Sequence, residues 1–175
     1  MNIQASMCRL RALEMEDLEV MYRWENDTEL WRVSGTTAPF SRHSLMRLIE
    51  EQQYDIYATR QLRLVVEAEC DGQPKAVGAV DLFEFDPQNR RAGVGVVIDM
   101  AFRRQGLAKD ALRAVERYVG EVLHLNQLWC SVTEDNVASL ALFRNLGYEE
   151  CGRRKEWILT PDGALDEILL QKLLR

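Results

Sequence analysis

The run Ala92-Gly93-Val94-Gly95-Val96-Val97-Ile98-Asp99 constrains this chain more than any other stretch. Its β-branched residues favour extended backbone, and the lack of polar alternation suits a central strand buried on both faces. Such a strand needs a covering layer. Apolar residues then recur at helical spacing (Ala111, Leu112, Val115, Tyr118, Val119, Val122), so a helix begins near Gly106 and ends before His124. Between strand and helix lies Arg103-Arg104-Gln105-Gly106-Leu107-Ala108. The first amides of a helix are unpaired and its dipole favours an anion there, so a diphosphate would dock on this loop. Gly106 permits close approach, Ala108 keeps the first turn uncluttered, and Arg103 or Arg104 adds charge-assisted hydrogen bonds. A plain strand-to-helix turn with surface arginines has the same sequence.

The rest of the chain reads as one continuous domain over residues 1–175, without a Pro/Gly/Ser-rich linker or an internal repeat. A short strand at Cys8 to Ala12 precedes a first helix at Glu16 to Trp24, and Ser41 caps a second helix carrying Leu45, Leu48 and Ile49. The intervening TELWRVSGTTAPF is expected to be a substrate-side loop. LRLVVEAE, the turn Asp71-Gly72 and AVGAVDLFEF form a hairpin leading into the central strand. After that strand and its helix come a strand at Gln127 to Val132 and a short helix from Asn136 ended by Gly147. A final hairpin turns at Thr160-Pro161-Asp162-Gly163.

Composition narrows the partners. A net charge of −6 opposes nucleic acid and favours an amine over a polyanion. No stretch approaches the roughly 18 apolar residues of a membrane span, and the start lacks a secretory h-region, so no membrane partner and a cytoplasmic location are expected. Cys8, Cys70, Cys130 and Cys151 are far apart, and His43 and His124 are the only histidines, so no metal is expected and the cysteines read as reduced, mostly buried thiols.

In Arg103, Gly106 and Ala108, and in CRLRALEMEDLEVMYRW, VGAVDLFEFD and NVASLALFRNLGYEECG taken in order, the chain resembles the GNAT superfamily of acyl-CoA-dependent N-acyltransferases over nearly its whole length. Within it the likeness is greatest to the spermidine and ribosomal-protein N-terminal acetyltransferase group. The resemblance implies an α/β (α+β) fold with a mixed, mostly antiparallel sheet of six to seven strands and about four helices. It also implies acetyl-CoA as co-substrate, no metal, and direct attack by a primary amine on a polyamine-like molecule or a peptide N-terminus. A homo-oligomer is left open.

Position by position, the resemblance gives Val96, Val97 and Ile98 to the strand that binds pantetheine, and an amide near Val97 to the thioester carbonyl. Arg103, Arg104, Gln105, Gly106, Leu107 and Ala108 go to the diphosphate. Asn136, with Ser139 a turn further on, goes to the pantetheine arm, and asparagine there also suits an N-cap. Glu84 corresponds to a general base. Asp81 faces the other side of a strictly alternating strand and reaches the same pocket only if the strand bulges. Two departures stand out. Phe143 occupies the cofactor-side position where the family commonly has a tyrosine acid, which leaves a noncatalytic acyl-CoA-binding domain as the alternative. The loop at Trp31 to Thr37 lacks the adjacent acids of polyamine enzymes, so spermidine is doubtful.

Overall fold

A computed structural model describes residues 3–52 and 55–174. One eight-stranded sheet runs in the order β1-β2-β3-β4-β5-β6-β8-β7. Its strands are β1 (Ile3–Gln4), β2 (Arg9–Ala12), β3 (Leu62–Cys70), β4 (Gln73–Asp86), β5 (Arg91–Ile98), β6 (Gln127–Thr133), β7 (Glu149–Thr160) and β8 (Gly163–Leu173). Every neighbouring pair is antiparallel except β5 and β6. The α-helices are α1 (Leu18–Glu25), α2 (Thr28–Ser34), α3 (Arg42–Glu51), α4 (Ile56–Thr59), α5 (Leu107–Glu121) and α6 (Val137–Asn145).

The fold class is the one expected, with two adjustments. The two-residue β1 brings the sheet to eight strands, above the six to seven expected, and the short α2 and α4 bring the α-helices among the described residues to six where about four were expected. The TELWRVSGTTAPF segment is not all loop: Asp27 accepts a hydrogen bond from the Glu29 amide at 3.0 Å and starts α2, and Gly35, left-handed at φ 71°, ends it. Seven residues are too few to display a helical period, so this helix left no pattern to read.

Each face of the sheet has its own apolar layer. α5 inserts Leu107, Ala111, Leu112, Val115 and Val119 against Leu10, Val66, Val80, Leu82, Val94 and Leu128, and α6 adds Leu140 and Phe143. On the opposite face α1 and α3 bury Met21, Leu45 and Ile49 with Leu13 and Val65. Alternation along the strands dictates this division, since Val65 lies between Leu64 and Val66 and turns the other way. Two ion-pair groups brace the second face. Arg11 joins Asp17 at 2.7 Å and Glu67 at 2.7 Å, and Arg63 joins Asp81 at 2.6 Å and also pairs with Glu25.

Candidate active site

β5 and β6 pair only at Arg91↔Gln127, Ala92↔Leu128 and Gly93↔Trp129, after which they separate. β4 continues to pair with β5 as far as Gly78↔Ile98. One edge of β5 is therefore bonded along its length, and the other is open beyond Val94. The expectation of full burial is corrected accordingly: Ala92, Gly93 and Val94 are buried, whereas Gly95, Val96 and Val97 are only half-buried.

The register identifies which backbone groups face the gap. Asp99 N–H donates to the Val77 carbonyl at 2.9 Å, so the odd-numbered residues of β5 exchange hydrogen bonds with β4. The even-numbered ones turn toward β6, as Arg90 shows by accepting from the Asn126 amide at 2.7 Å. Val96 and Ile98 thus direct their amides into the opening, and Val97 directs its own to β4. The Val97 amide, expected to face the opening, is turned to β4 instead, an alternation that the sequence shows only once a register is known.

Both strands end at this mouth in helix N-termini. Beyond β5 the chain takes left-handed conformations at Arg104 (φ 61°) and Gly106 (φ 84°) before α5. A Cβ built on Gly106 would have only the Met7 thioether near it, at 3.6 Å. Asp110 N–H is bonded to the Gly106 carbonyl at 3.1 Å, which leaves the amides of Leu107, Ala108 and Lys109 as the first-turn donors of α5. Arg103, Arg104 and Gln105 are exposed, while Leu107 is buried, so Leu107 offers this site its amide and not its side chain. These residues fit an extended, amide-bearing arm ending in a diphosphate: an open strand edge, a helix start and two guanidinium groups.

Two further contacts fix the loop. Arg103 Nε donates to the Ile98 carbonyl at 2.9 Å. The Asp110 carboxylate accepts from the Ser6 amide at 3.2 Å and the Met7 amide at 2.6 Å, which lays the N-terminal segment beside the loop. Sequence reasoning missed this segment, because nothing local marks a contact spanning about a hundred positions. Beyond β6, Asn136 Oδ1 accepts from the Ser139 amide at 3.2 Å and caps α6, so the two are brought together as a cap beside the same mouth.

On the sheet face opposite α5, a cleft of about 490 Å³ lies near the point where the strands part, with Glu84, Arg91, Trp129, Cys151, Arg154 and Gln171 along its walls. Glu84 reaches it through a bulge. Phe83 pairs with Gly93 and Asp86 with Arg91, so three steps of β4 face two of β5, and Glu84 takes φ 48°. The bulge does not bring in Asp81, which is held by Arg63. Among the described residues the Glu84 side chain has no hydrogen-bond or ion-pair partner. Trp129 is set by an edge-to-face contact with Phe83, centroids 5.3 Å apart, and Gly93 leaves the space for that ring.

Phe143 lies apart from the cleft. It is buried among the residues under α5, packs edge-to-face on Tyr148 with centroids 5.0 Å apart, and is not among the residues lining the cleft. Tyr148 is buried as well, and burial together with the nearby Glu116 pushes its phenol far above the ordinary range. Neither ring is placed to donate a proton in the cleft. The thiols divide unevenly. Cys8 and Cys130 are buried and pushed up to about 12, chiefly by burial, while Cys70 is half-buried and Cys151 is exposed at the cleft wall.

Known proteins share this fold and part of this sequence. The chain is 29% identical over 144 residues, 82% of its length, to spermidine N(1)-acetyltransferase of Escherichia coli K12, covering 74% of that protein. It is 31% identical over 77 residues, 43% of its length, to the ribosomal protein bS18-alanine N-acetyltransferase of the same strain, covering 50% of it. Among solved structures, spermidine N-acetyltransferase from Vibrio cholerae in complex with CoA and spermine superposes with a TM-score of 0.86 at 23% identity, covering 96% of each chain. A dodecameric structure of that enzyme superposes at 0.79 and 23% identity, covering 96% of this chain and 94% of that one. The family description "Acetyltransferase (GNAT) domain" matches residues 8–149, and the chain belongs to that family.

Proposed function

We propose that this acetyltransferase moves an acetyl group from acetyl-CoA to a primary amine that enters the Glu84 cleft, by direct attack and without an acyl-enzyme. The separation of β5 from β6 carries this reading, since it leaves Val96 and Ile98 with backbone groups turned into an opening between two helix N-termini. Acetyl-CoA supplies an acyl group already activated as a thioester. Val96 and Ile98 hold the arm as an added strand would, and Arg104 with the amides of Leu107, Ala108 and Lys109 holds the diphosphate. Asn136 and Ser139 stand at the far side of the mouth.

Glu84 accepts the proton that an ammonium must lose before its nitrogen can attack. A carboxylate without a competing cation is suited to that work, and Glu84 has none among the described residues. The Val96 amide is the donor nearest in register to the parting point and polarises the carbonyl. No tyrosine is needed on the leaving side, because a thiol with an ordinary value of ~8.5 departs readily as thiolate and takes its proton from water. Much of the acceleration then comes from holding amine and acyl carbon together. A homo-oligomer, supported by the dodecameric relative, and a cytoplasmic location belong to the same reading.

The test is release of free thiol from acetyl-CoA with a panel of amines, read against the hydrolysis background. Release with at least one amine, lost in Glu84→Gln while CoA binding persists, is the expected result. Tight CoA binding with no release for any amine would establish the noncatalytic alternative instead.

A further inference from the structure

The charges around the cleft specify the acceptor more narrowly than "a primary amine", and this inference rests on the transferase reading above. Two carboxylates and two guanidinium groups line the cleft: Glu84 and Asp86 against Arg91 and Arg154. Asp86 is already engaged, by Arg91 at 3.2 Å and by the Asn89 side-chain amide at 2.7 Å. Of the acids just beyond the lining, Glu167 pairs with Arg154 at 2.7 Å, Asp81 and Glu25 share Arg63, and Glu134 and Asp166 share Arg153. Glu84 is the lining carboxylate left to meet a cation.

A linear polyamine carries several ammonium groups along its length. Within this cleft one of them meets Glu84, and the next finds no second unpaired carboxylate on the lining, because Asp86 already holds Arg91. Arg154 has donors to spare. It stacks over the Trp157 ring at 4.9 Å and spends one Nη on Glu167, yet its side chain remains 45% exposed. A guanidinium that lines the cleft beside an aromatic ring and keeps N–H groups unused suits a carboxylate. Gln127 and Gln171, hydrogen-bonded to each other between the charged walls, add neutral donors and acceptors and no further charge.

We infer that the acceptor bears one ammonium and one carboxylate, an amino acid or short peptide, with the amine at Glu84 and the carboxylate read by Arg154. Arg154 is then a specificity-determining residue for the transfer.

The experiment measures kcat/KM for acetyl-CoA with four acceptors: a free amino acid, a dipeptide, a simple uncharged-tail monoamine, and spermidine. The amino acid or the dipeptide should exceed spermidine by at least tenfold, and which of the two leads shows whether the carboxylate sits one residue or two from the amine. Arg154→Glu should lower the carboxylate-bearing acceptor by tenfold or more, mainly through KM, and raise spermidine. A merely structural role for Arg154 would lower all four together, and Arg154→Lys should restore part of the preference. Preference for spermidine in the unaltered protein, or equal loss on every acceptor in Arg154→Glu, would overturn the inference while leaving the transferase reading intact. No turnover of any acceptor would overturn both.

Discussion

Arg103 Nε and the Ile98 carbonyl, 2.9 Å apart, join the end of the open strand to the loop that precedes the long helix. A single guanidinium thereby fixes the distance between the backbone that would hold an extended arm and the amides that would hold its phosphates. Arg103→Ala should raise the Kd for CoA by about tenfold, the equivalent of one charge-assisted hydrogen bond of roughly 1.5 kcal/mol. Calorimetric titration of both proteins checks this, and an unchanged Kd would remove Arg103 from the site.

Gly106→Val should be more severe. The left-handed backbone there costs a β-branched residue at least ~1–2 kcal/mol, and the added side chain occupies the space beside the first-turn amides. The expected outcome is a folded protein that no longer binds CoA, seen as a melting temperature that CoA no longer raises.

Phe143→Tyr is expected to fail as a repair. The added hydroxyl would be buried against Tyr148 and would cost about 1–3 kcal/mol unless it found a partner. Stability should fall and kcat should change by less than a factor of about two, since no proton donor is created in the cleft. A large gain in kcat would mean that position 143 reaches the leaving sulfur.

Cys151 offers a chemical probe of the cleft, being exposed at its wall, whereas burial holds the Cys8 and Cys130 thiols protonated. Iodoacetamide at neutral pH should label Cys151 first, as peptide mass spectrometry would show. Transfer should be lost with that label and CoA affinity retained. A saturating acceptor should slow the labelling.

Acid should destabilise the fold through the Arg11 group. Burial opposes ionisation of Asp17 and Glu67, but hydrogen bonds from Arg11 to both, with the Glu14 amide at Asp17 and Arg9 at Glu67, outweigh it and hold both carboxyls below their ordinary values. Carboxyls lowered in the folded state stabilise it above their unfolded values, near ~4, and that contribution is lost as pH falls through the folded ones. The melting temperature should hold above about pH 5 and drop steeply below about pH 4. Arg11→Met should cost about 3–5 kcal/mol at neutral pH, because it leaves the Asp17 carboxylate without its cation and Glu67 with Arg9 alone. A flat melting profile down to pH 3 would contradict this account.

Local sequence determined the pieces. The run at 92–99, the helical period after Gly106 and the turn at Asp71-Gly72 each carry their structure within a few residues, because alternation, amphipathic spacing and turn chemistry are short-range properties. The loop from Arg103 to Ala108, with a glycine just before a helix, was legible for the same reason. The tertiary structure decided everything that depends on register. Which amides of β5 face the gap follows from a hydrogen bond between Asp99 and Val77, and Glu84 lines the cleft through a bulge defined by its pairing with another strand. The burial of Phe143 in the layer under α5, and the sharing of Arg63 by Glu25 and Asp81, arise from side chains far apart along the chain. Pairing and charge compensation are relations between distant residues, so they existed only once the sheet had closed around them.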